Sequence, residues 1–241
     1  VSILPFDFRV FICIHYRMKS AFNKSNQEPQ STVCYDFLLS KMQRGELVSG
    51  MSVTEQGVAG ELGISRTPVR EALRRLESDG LLISEPRFGM KVRQLGYTEI
   101  LELYEAREAL EMAAVEICAA KISDVEISEI EILQQQMADS VNDPTLMANL
   151  NYAFHRALLN AGKNRYLIMS FEAIHKTLVI LGPTTLANME RAGESLIEHN
   201  HLIECLKQRD SEGARKVMGR HLSNAKRIRL RQINQRLVDE S

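Results

Sequence analysis

The stretch L-G-I-S-R-T-P-V-R-E-A-L-R-R-L-E-S-D-G, Leu62 to Gly80, is where a reading of this chain begins. Ser65 or Thr67 can cap a helix here by offering a side-chain oxygen to the first free amides. Pro68 suits a first turn, where no amide donor is needed. Gly80 stands where a left-handed residue closes a helix. Val69, Leu73 and Leu76 fall at i, i+4 and i+7 with Ala72 beside them, which makes one apolar stripe. Arg66, Arg70 and Arg74 recur every four residues on another face. Three guanidinium groups in a row can reach phosphates and the O6/N7 edge of guanine in a major groove. The plainer reading of the same pattern is an amphipathic helix with a solvated basic face.

The flanking sequence favours the first reading. Upstream, Ser31–Arg44 reads as a helix with Val33, Phe37 and Leu38 on its apolar side and Gly45 at its end. Gly50 turns the chain, and Val53 leads into a short helix, Glu55–Leu62, capped by Thr54 with Val58, Ala59 and Leu62 inward. Gly63 then makes a tight turn into the arginine-bearing helix, so the pair forms a helix-turn-helix. Downstream, Leu81–Ile83 and Met90–Arg93 flank Pro86-Arg87-Phe88-Gly89 and read as a two-stranded hairpin with Arg87 at its tip. Such a wing reaches the adjacent minor groove or backbone. The expectation is a winged helix-turn-helix domain over residues 31–96.

The strings R-G-E-L-V-S-G-M (44–51), T-E-Q-G-V-A-G-E-L-G-I-S-R-T-P-V-R-E-A-L-R-R-L-E-S-D-G-L-L (54–82) and P-R-F-G-M-K-V (86–92) resemble the winged helix of the GntR family of bacterial transcription regulators. The resemblance implies that Arg66 and Arg70 contact operator bases or phosphates, with Ser65, Thr67 and Gly89 close to the DNA backbone. Arg74 and Arg87 join them on the residue pattern alone. Gln56 stands where some members carry a DNA-contacting arginine, and Phe88 replaces a basic or polar residue before the wing glycine.

Composition sets bounds on the rest. The 241 residues suffice for one large or two medium domains, and 44% hydrophobic with 25% charged residues is the balance of a soluble globular protein. A net charge of -1 excludes a generally basic nucleic-acid binder, so a local patch must make any DNA contact. Cys13, Cys34, Cys118 and Cys205 lie far apart without a C-x-x-C pair and read as thiols in a reducing, cytoplasmic compartment. No apolar run approaches a membrane span. Without tryptophan, base stacking is an unpromising mode of recognition. Residues 1–30 read as a poorly ordered extension. Met18 is a candidate true start, and the alternative is an apolar arm that packs on a partner subunit.

After the wing the pattern is helical throughout. Thr98 caps a helix to about Ala120, Asp124–Asp139 forms a second, and Asp143-Pro144 opens a third that stops near Gly162. A fourth runs from about Arg165 to Leu181, a fifth spans Gly193–Gln208, and Asp210 or Ser211 caps the last. The expectation for 97–235 is an all-α antiparallel bundle, followed by a tail at 236–241, and the fold class as a whole is mainly α. His155, His199 and His221 fall on three of these helices, and Asn151 precedes His155 by one helical turn. Imidazoles from three helices can converge on a divalent metal; the plainer reading is three hydrogen-bonded core histidines.

The strings E-A-R-E-A-L-E (105–111), N-L-N-Y-A-F-H-R-A-L-L-N-A-G-K-N (149–164), E-H-N-H-L-I-E-C-L-K-Q-R-D (198–210) and V-M-G-R-H-L (217–222) resemble the FCD-type effector domain of the FadR-like branch. That resemblance implies a metal site, for zinc or nickel, at Asn151, His155, His199 and His221. Asn151 replaces the commoner aspartate, which weakens the case for the metal. It also implies that Arg107 binds an effector carboxylate, against the plainer pairing of Arg107 with Glu111. His175 and His201 match no ligand position and read as ordinary polar residues. The chain thus reads as a ligand-responsive transcription regulator, a repressor rather than an activator. It would bind a near-palindromic double-stranded operator as a homodimer, sense a small organic acid, and have no membrane partner and no catalytic residues. A metal-dependent hydrolase with a DNA-binding appendage and a constitutive DNA-architectural protein are the competing classes.

Overall fold

A computed structural model describes residues 28–85 and 89–239, with side chains through Gln235. The first unit begins with α1 (Gln30–Gln43). Its start is set by Pro29, whose carbonyl accepts from the Thr32 amide at 2.8 Å. Cys34, Tyr35, Leu38 and Met42 form its buried stripe. β1 (Ser52–Val53) is short but structural: it pairs antiparallel with β3, Ser52 opposite Lys91 and Val53 opposite Met90. The sequence suggested a two-stranded wing; the sheet has three strands in the order β1-β3-β2. Two residues carry too little periodicity to read as a strand, and only pairing across the chain defines them.

α2 (Glu55–Leu62) is capped by Thr54, whose Oγ1 accepts from the Gly57 amide at 3.1 Å. Gly63 then adopts φ +65°, a left-handed conformation that costs a side-chain-bearing residue energy. α3 (Arg66–Ser78) buries Val69, Ala72, Leu73 and Leu76, as the spacing requires. It closes with Gly80 at φ +73°, the Gly80 amide donating to Glu77 and the Leu81 amide to the Leu76 carbonyl, both at 2.9 Å. β2 (Leu82–Glu85) and β3 (Gly89–Val92) make the hairpin. Its tip residues, Arg87 and Phe88 among them, lie outside the described residues, as does the 1–27 part of the N-terminal extension.

The second unit is helical: α4 (Tyr97–Lys121), α5 (Asp124–Asp139), α6 (Pro144–Ala161), α7 (Arg165–Val179), a 3-10 turn at Thr185–Ala187, α8 (Met189–Lys207) and α9 (Ser211–Asp239). Ser123 and Glu126 form a reciprocal cap on α5, and Asp143 with Pro144 opens α6 as expected. Three boundaries differ from the sequence expectation. α4 starts at Tyr97, because Glu99 reaches back to the Gly96 amide at 3.1 Å and Thr98 lies already inside the helix. α8 starts at Met189, four residues before Gly193, because Asn188 Oδ1 caps the Arg191 amide at 2.8 Å. α7 ends at Val179, short of Leu181.

Two cores result. One lies within the bundle, around Phe154, Met137, Met147 and Leu158. The other fills the winged helix around Leu38, Leu76, Leu81 and Leu82, and it includes Val179 and Ile180 from the end of α7. Among the described cysteines, Cys34, Cys118 and Cys205 are free thiols, the first two buried.

Candidate functional site

The exposed face of α3 carries Arg66, Thr67, Arg70 and Arg74. Ser65 occupies the N-cap with extended backbone but makes no side-chain capping bond. Arg66 and Arg70 both turn onto Glu55, the first residue of α2. Arg66 Nη2 lies 2.9 Å from Oε2, and Arg70 Nε lies 2.7 Å from Oε1. Hydrogen bonds from Arg70 and then Arg66 hold the Glu55 carboxyl down at about 2. Arg75 faces away from this row and stacks over the Tyr35 ring at 4.1 Å. On the wing, Gly89 has φ +79°. Lys91 pairs with Glu85 at 2.6 Å, and Arg93 pairs with Glu99 at 2.6 Å. The helix-turn-helix crease thus presents a basic row whose leading members share one acid.

In the bundle, α6, α8 and α9 bring His155, His199 and His221 together, 1%, 1% and 4% exposed. One ligand atom from each lies within 4.8 Å of the others. Every Nδ1 is engaged from outside the cluster. Glu111 Oε2 lies 2.5 Å from His155 Nδ1, Gln134 Oε1 lies 3.2 Å from His199 Nδ1, and Glu198 Oε2 lies 2.7 Å from His221 Nδ1. The Gln134 orientation follows from its Nε2 donating to the Leu196 carbonyl at 2.8 Å. These acceptors orient the three rings through Nδ1, and Arg191 Nη2 also lies 3.2 Å from His221 Nδ1.

Three polar side-chain atoms on α6 and α8 have no hydrogen-bond partner in the protein. His155 Nε2, His199 Nε2 and Asn151 Oδ1 are buried without a hydrogen bond. Buried polar atoms are seldom left so, and such a set calls for a partner such as a bound ion or water. The donor set, three imidazole nitrogens and one amide oxygen backed by two carboxylates and an amide, fits a borderline divalent cation. Burial, then the neighbouring His221 and His155, pushes His199 well below its usual range. Burial, against the Glu198 bond, brings His221 to about 4.

A cavity of about 500 Å³ lies against this cluster, with Arg107, Asn151, His175, Arg191 and His221 in its wall. Arg107 is 9% exposed and donates from Nε to Glu111 Oε1 at 2.6 Å. Arg107 thus pairs with Glu111, as the plainer reading has it, and also lines the cavity. Although burial penalises a carboxylate, Arg107 and His155 hold Glu111 well below the usual carboxylate range. His175, read as an ordinary polar residue, lines the cavity. Its ring sits 4.1 Å from that of Tyr152 and 5.8 Å from that of Phe171, and burial and then Arg107 lower it to about 3. His201 is exposed, as read.

Glu111, Gln134, Arg191 and Glu198 complete the site and were not singled out as site residues from sequence. Arg191 is 1% exposed and lies 2.8 Å from Glu198 Oε2. Glu111 had a signal, its place one turn after Arg107. Gln134 had none, because its histidine is 65 residues away on another helix.

Residues 31–92 match the bacterial regulatory proteins, gntR family, and residues 102–224 match the FCD domain. The chain belongs to the GntR family, with an FCD domain. Among GntR relatives, the probable D-xylose utilization operon transcriptional repressor of Paenarthrobacter nicotinovorans is 30% identical over 78% of this chain and 83% of that protein. The uncharacterized HTH-type regulator YdhC of Bacillus subtilis is 28% identical over 79% of this chain and 86% of that protein. The solved structure of E. coli McbR/YncC superposes with a TM-score of 0.73 at 24% identity, covering 86% of this chain and all of that one, and so shares the GntR fold. These families and relatives are DNA-binding transcriptional regulators and not enzymes. No helix among the described residues is long and apolar enough to cross a membrane.

Proposed function

We propose that this GntR-family regulator is a repressor that binds a near-palindromic operator as a dimer and releases it when a small carboxylate occupies the bundle cavity. Ser65, Arg66, Thr67, Arg70 and Arg74 read the major groove. The wing, with Arg87 and Gly89, follows the backbone beside it. Two-fold symmetry of the protein would impose two-fold symmetry on the operator. The P. nicotinovorans relative is named a repressor, which supports that sign. The composition supports a cytoplasmic protein.

In the bundle, Asn151, His155, His199 and His221 would hold a divalent cation, zinc or nickel. When bound, such an ion supplies a Lewis-acidic anchor for a carboxylate. Arg107 orients the acid through the guanidinium nitrogens that Glu111 leaves open. His175 and Tyr104 shape the remaining wall. The observation that carries this reading is the set of unpartnered buried atoms on Asn151, His155 and His199.

Calorimetric titration of Zn²⁺ into chelator-stripped protein tests it. One ion per chain is expected in the wild type, with affinity falling at least tenfold in His199→Ala. Asn151→Asp, by restoring an anionic ligand, is expected to tighten binding about tenfold. Equal zinc affinity in wild type and His199→Ala would sink the assignment. A panel of organic acids, followed by thermal shift on the metal-loaded protein, then reads out the effector.

A further inference from the structure

Several independent contacts meet at the C-terminal end of α7. His175, Leu178 and Val179 line the cavity in the bundle. Val179 and Ile180 are 9% and 2% exposed and belong to the core of the winged helix. Lys176 Nζ lies 2.9 Å from Asp79 Oδ1, and Asp79 is the C-cap residue of the recognition helix α3. The other oxygen of Asp79 accepts from the Tyr35 hydroxyl at 2.5 Å. Just beyond α7, Ser49 Oγ donates to the Ile180 carbonyl at 3.4 Å. Pro183 packs so close to Gly45 that a Cβ added there would sit 2.9 Å from its Cγ. The winged helix also reaches the cavity directly, because Gln43, Arg44 and Glu46 line it.

We propose that the cavity is a composite ligand site shared by the two domains. Gln43, Arg44 and Glu46 of the winged helix supply one wall, and α7 carries occupancy to the recognition helix through the Val179–Ile180 wedge and the Lys176–Asp79 bridge. The ligand is a small organic anion anchored on Arg107 and extending toward Gln43. This rests on the ligand-sensing reading above and deepens it. A ligand shifts a conformational equilibrium only by binding two arrangements unequally. A wall contributed by the DNA-binding domain creates that inequality, because the wall is present only in one placement of the domain. Packed cores switch between discrete arrangements and do not deform continuously. A rotation of α7 that admits a ligand past Leu178 therefore drags Ile180 and, through Lys176, the end of α3.

The test uses the full chain and an operator duplex selected by the wild type from random-sequence DNA. Ala148, on α6, also lines the cavity, so Ala148→Trp fills it without any ligand. Operator Kd is expected to change at least fivefold in Ala148→Trp, but less than twofold when Lys176→Ala is also present. Lys176→Arg, which keeps the charge, is expected to retain the response. If Ala148→Trp does not melt cooperatively, Thr145→Phe replaces it. An unchanged operator Kd in the filled variant, or a full response in the Lys176→Ala background, overturns the proposal. The test is independent of the metal: if the wild type binds no zinc, the metal assignment fails, and the Ala148→Trp variants still decide whether the site is shared.

Discussion

Glu55 is the residue on which the exposed basic face of α3 turns. It draws Arg66 and Arg70 into one four-bond arrangement, with Arg66 Nε at 3.2 Å and both Nη2 atoms at 2.9 Å from Oε2. The pair is exposed, so its contribution to folding is small. Its effect falls on recognition: any phosphate or guanine that takes these guanidiniums must compete with a fixed carboxylate. Glu55→Gln is therefore expected to raise affinity for random duplex DNA about threefold or more and to steepen its logarithmic salt dependence by about one unit. Fluorescence anisotropy over a salt series measures both, and an unchanged slope would mean that Glu55 does not restrain the arginines in solution. The histidine cluster shows the opposite economy of exposure. Each imidazole is oriented through Nδ1 by an acceptor outside the cluster. The ring of Phe154 lies flat on His199 at 3.9 Å and fixes its plane.

At the scale of elements, α3 is held at both ends by glycines in left-handed backbone, Gly63 and Gly80. A Cβ at Gly63 would meet nothing within 4 Å, so substitution there tests backbone conformation alone. Gly63→Ala is expected to cost about 1 kcal/mol and to lower Tm by about 2–4 °C, with operator affinity reduced in step as the α2–α3 angle relaxes. A thermal melt beside a binding isotherm checks both; a neutral melt would show that the turn tolerates a side chain. Helix starts followed their caps, and the caps were legible where Asp143 and Thr54 precede apolar periodicity. Asn188 is hard to recognise as a cap because Met189-Glu190 extends no apolar stripe, so the sequence pattern starts α8 four residues late. The missing turn holds Arg191, whose buried charge faces Glu198. β1 is illegible for the same kind of reason, since two residues cannot display a period.

Across the whole molecule, the end of α7 reaches into the winged-helix core through Val179 and Ile180, and the cavity lies beside it. His175 lies on that helix, and its pH behaviour follows from its surroundings. Burial, then the charge of Arg107, lowers its folded pKa to about 3 from 6.5, against an opposing pull from Glu111. The folded form keeps the ring neutral, while the unfolded chain takes up a proton below 6.5. The resulting stability is complete above pH 6.5 and is lost as pH falls from 6.5 toward 3. By pH 5 the loss is about 1–2 kcal/mol, a fall in Tm of about 3–6 °C relative to pH 7. His175→Phe keeps the stack on Tyr152 and Phe171 and should flatten that part of the melting profile. Parallel profiles for the two proteins would exclude His175 as the titrating group.

The winged helix was legible from local chemistry, since Thr54, Gly63, Gly80 and the arginine spacing each act within a turn or two of chain. The histidine positions were legible as well, because a helical period places Asn151 and His155 on one face. Neither the second partner of each imidazole nor the composite cavity could be read that way. Gln134 meets His199, and Lys176 meets Asp79, across 65 and 97 residues. Contacts at such separations come from how helices pack on one another. A linear pattern encodes which face of a helix is apolar, but not which residue of a distant helix will stand opposite it.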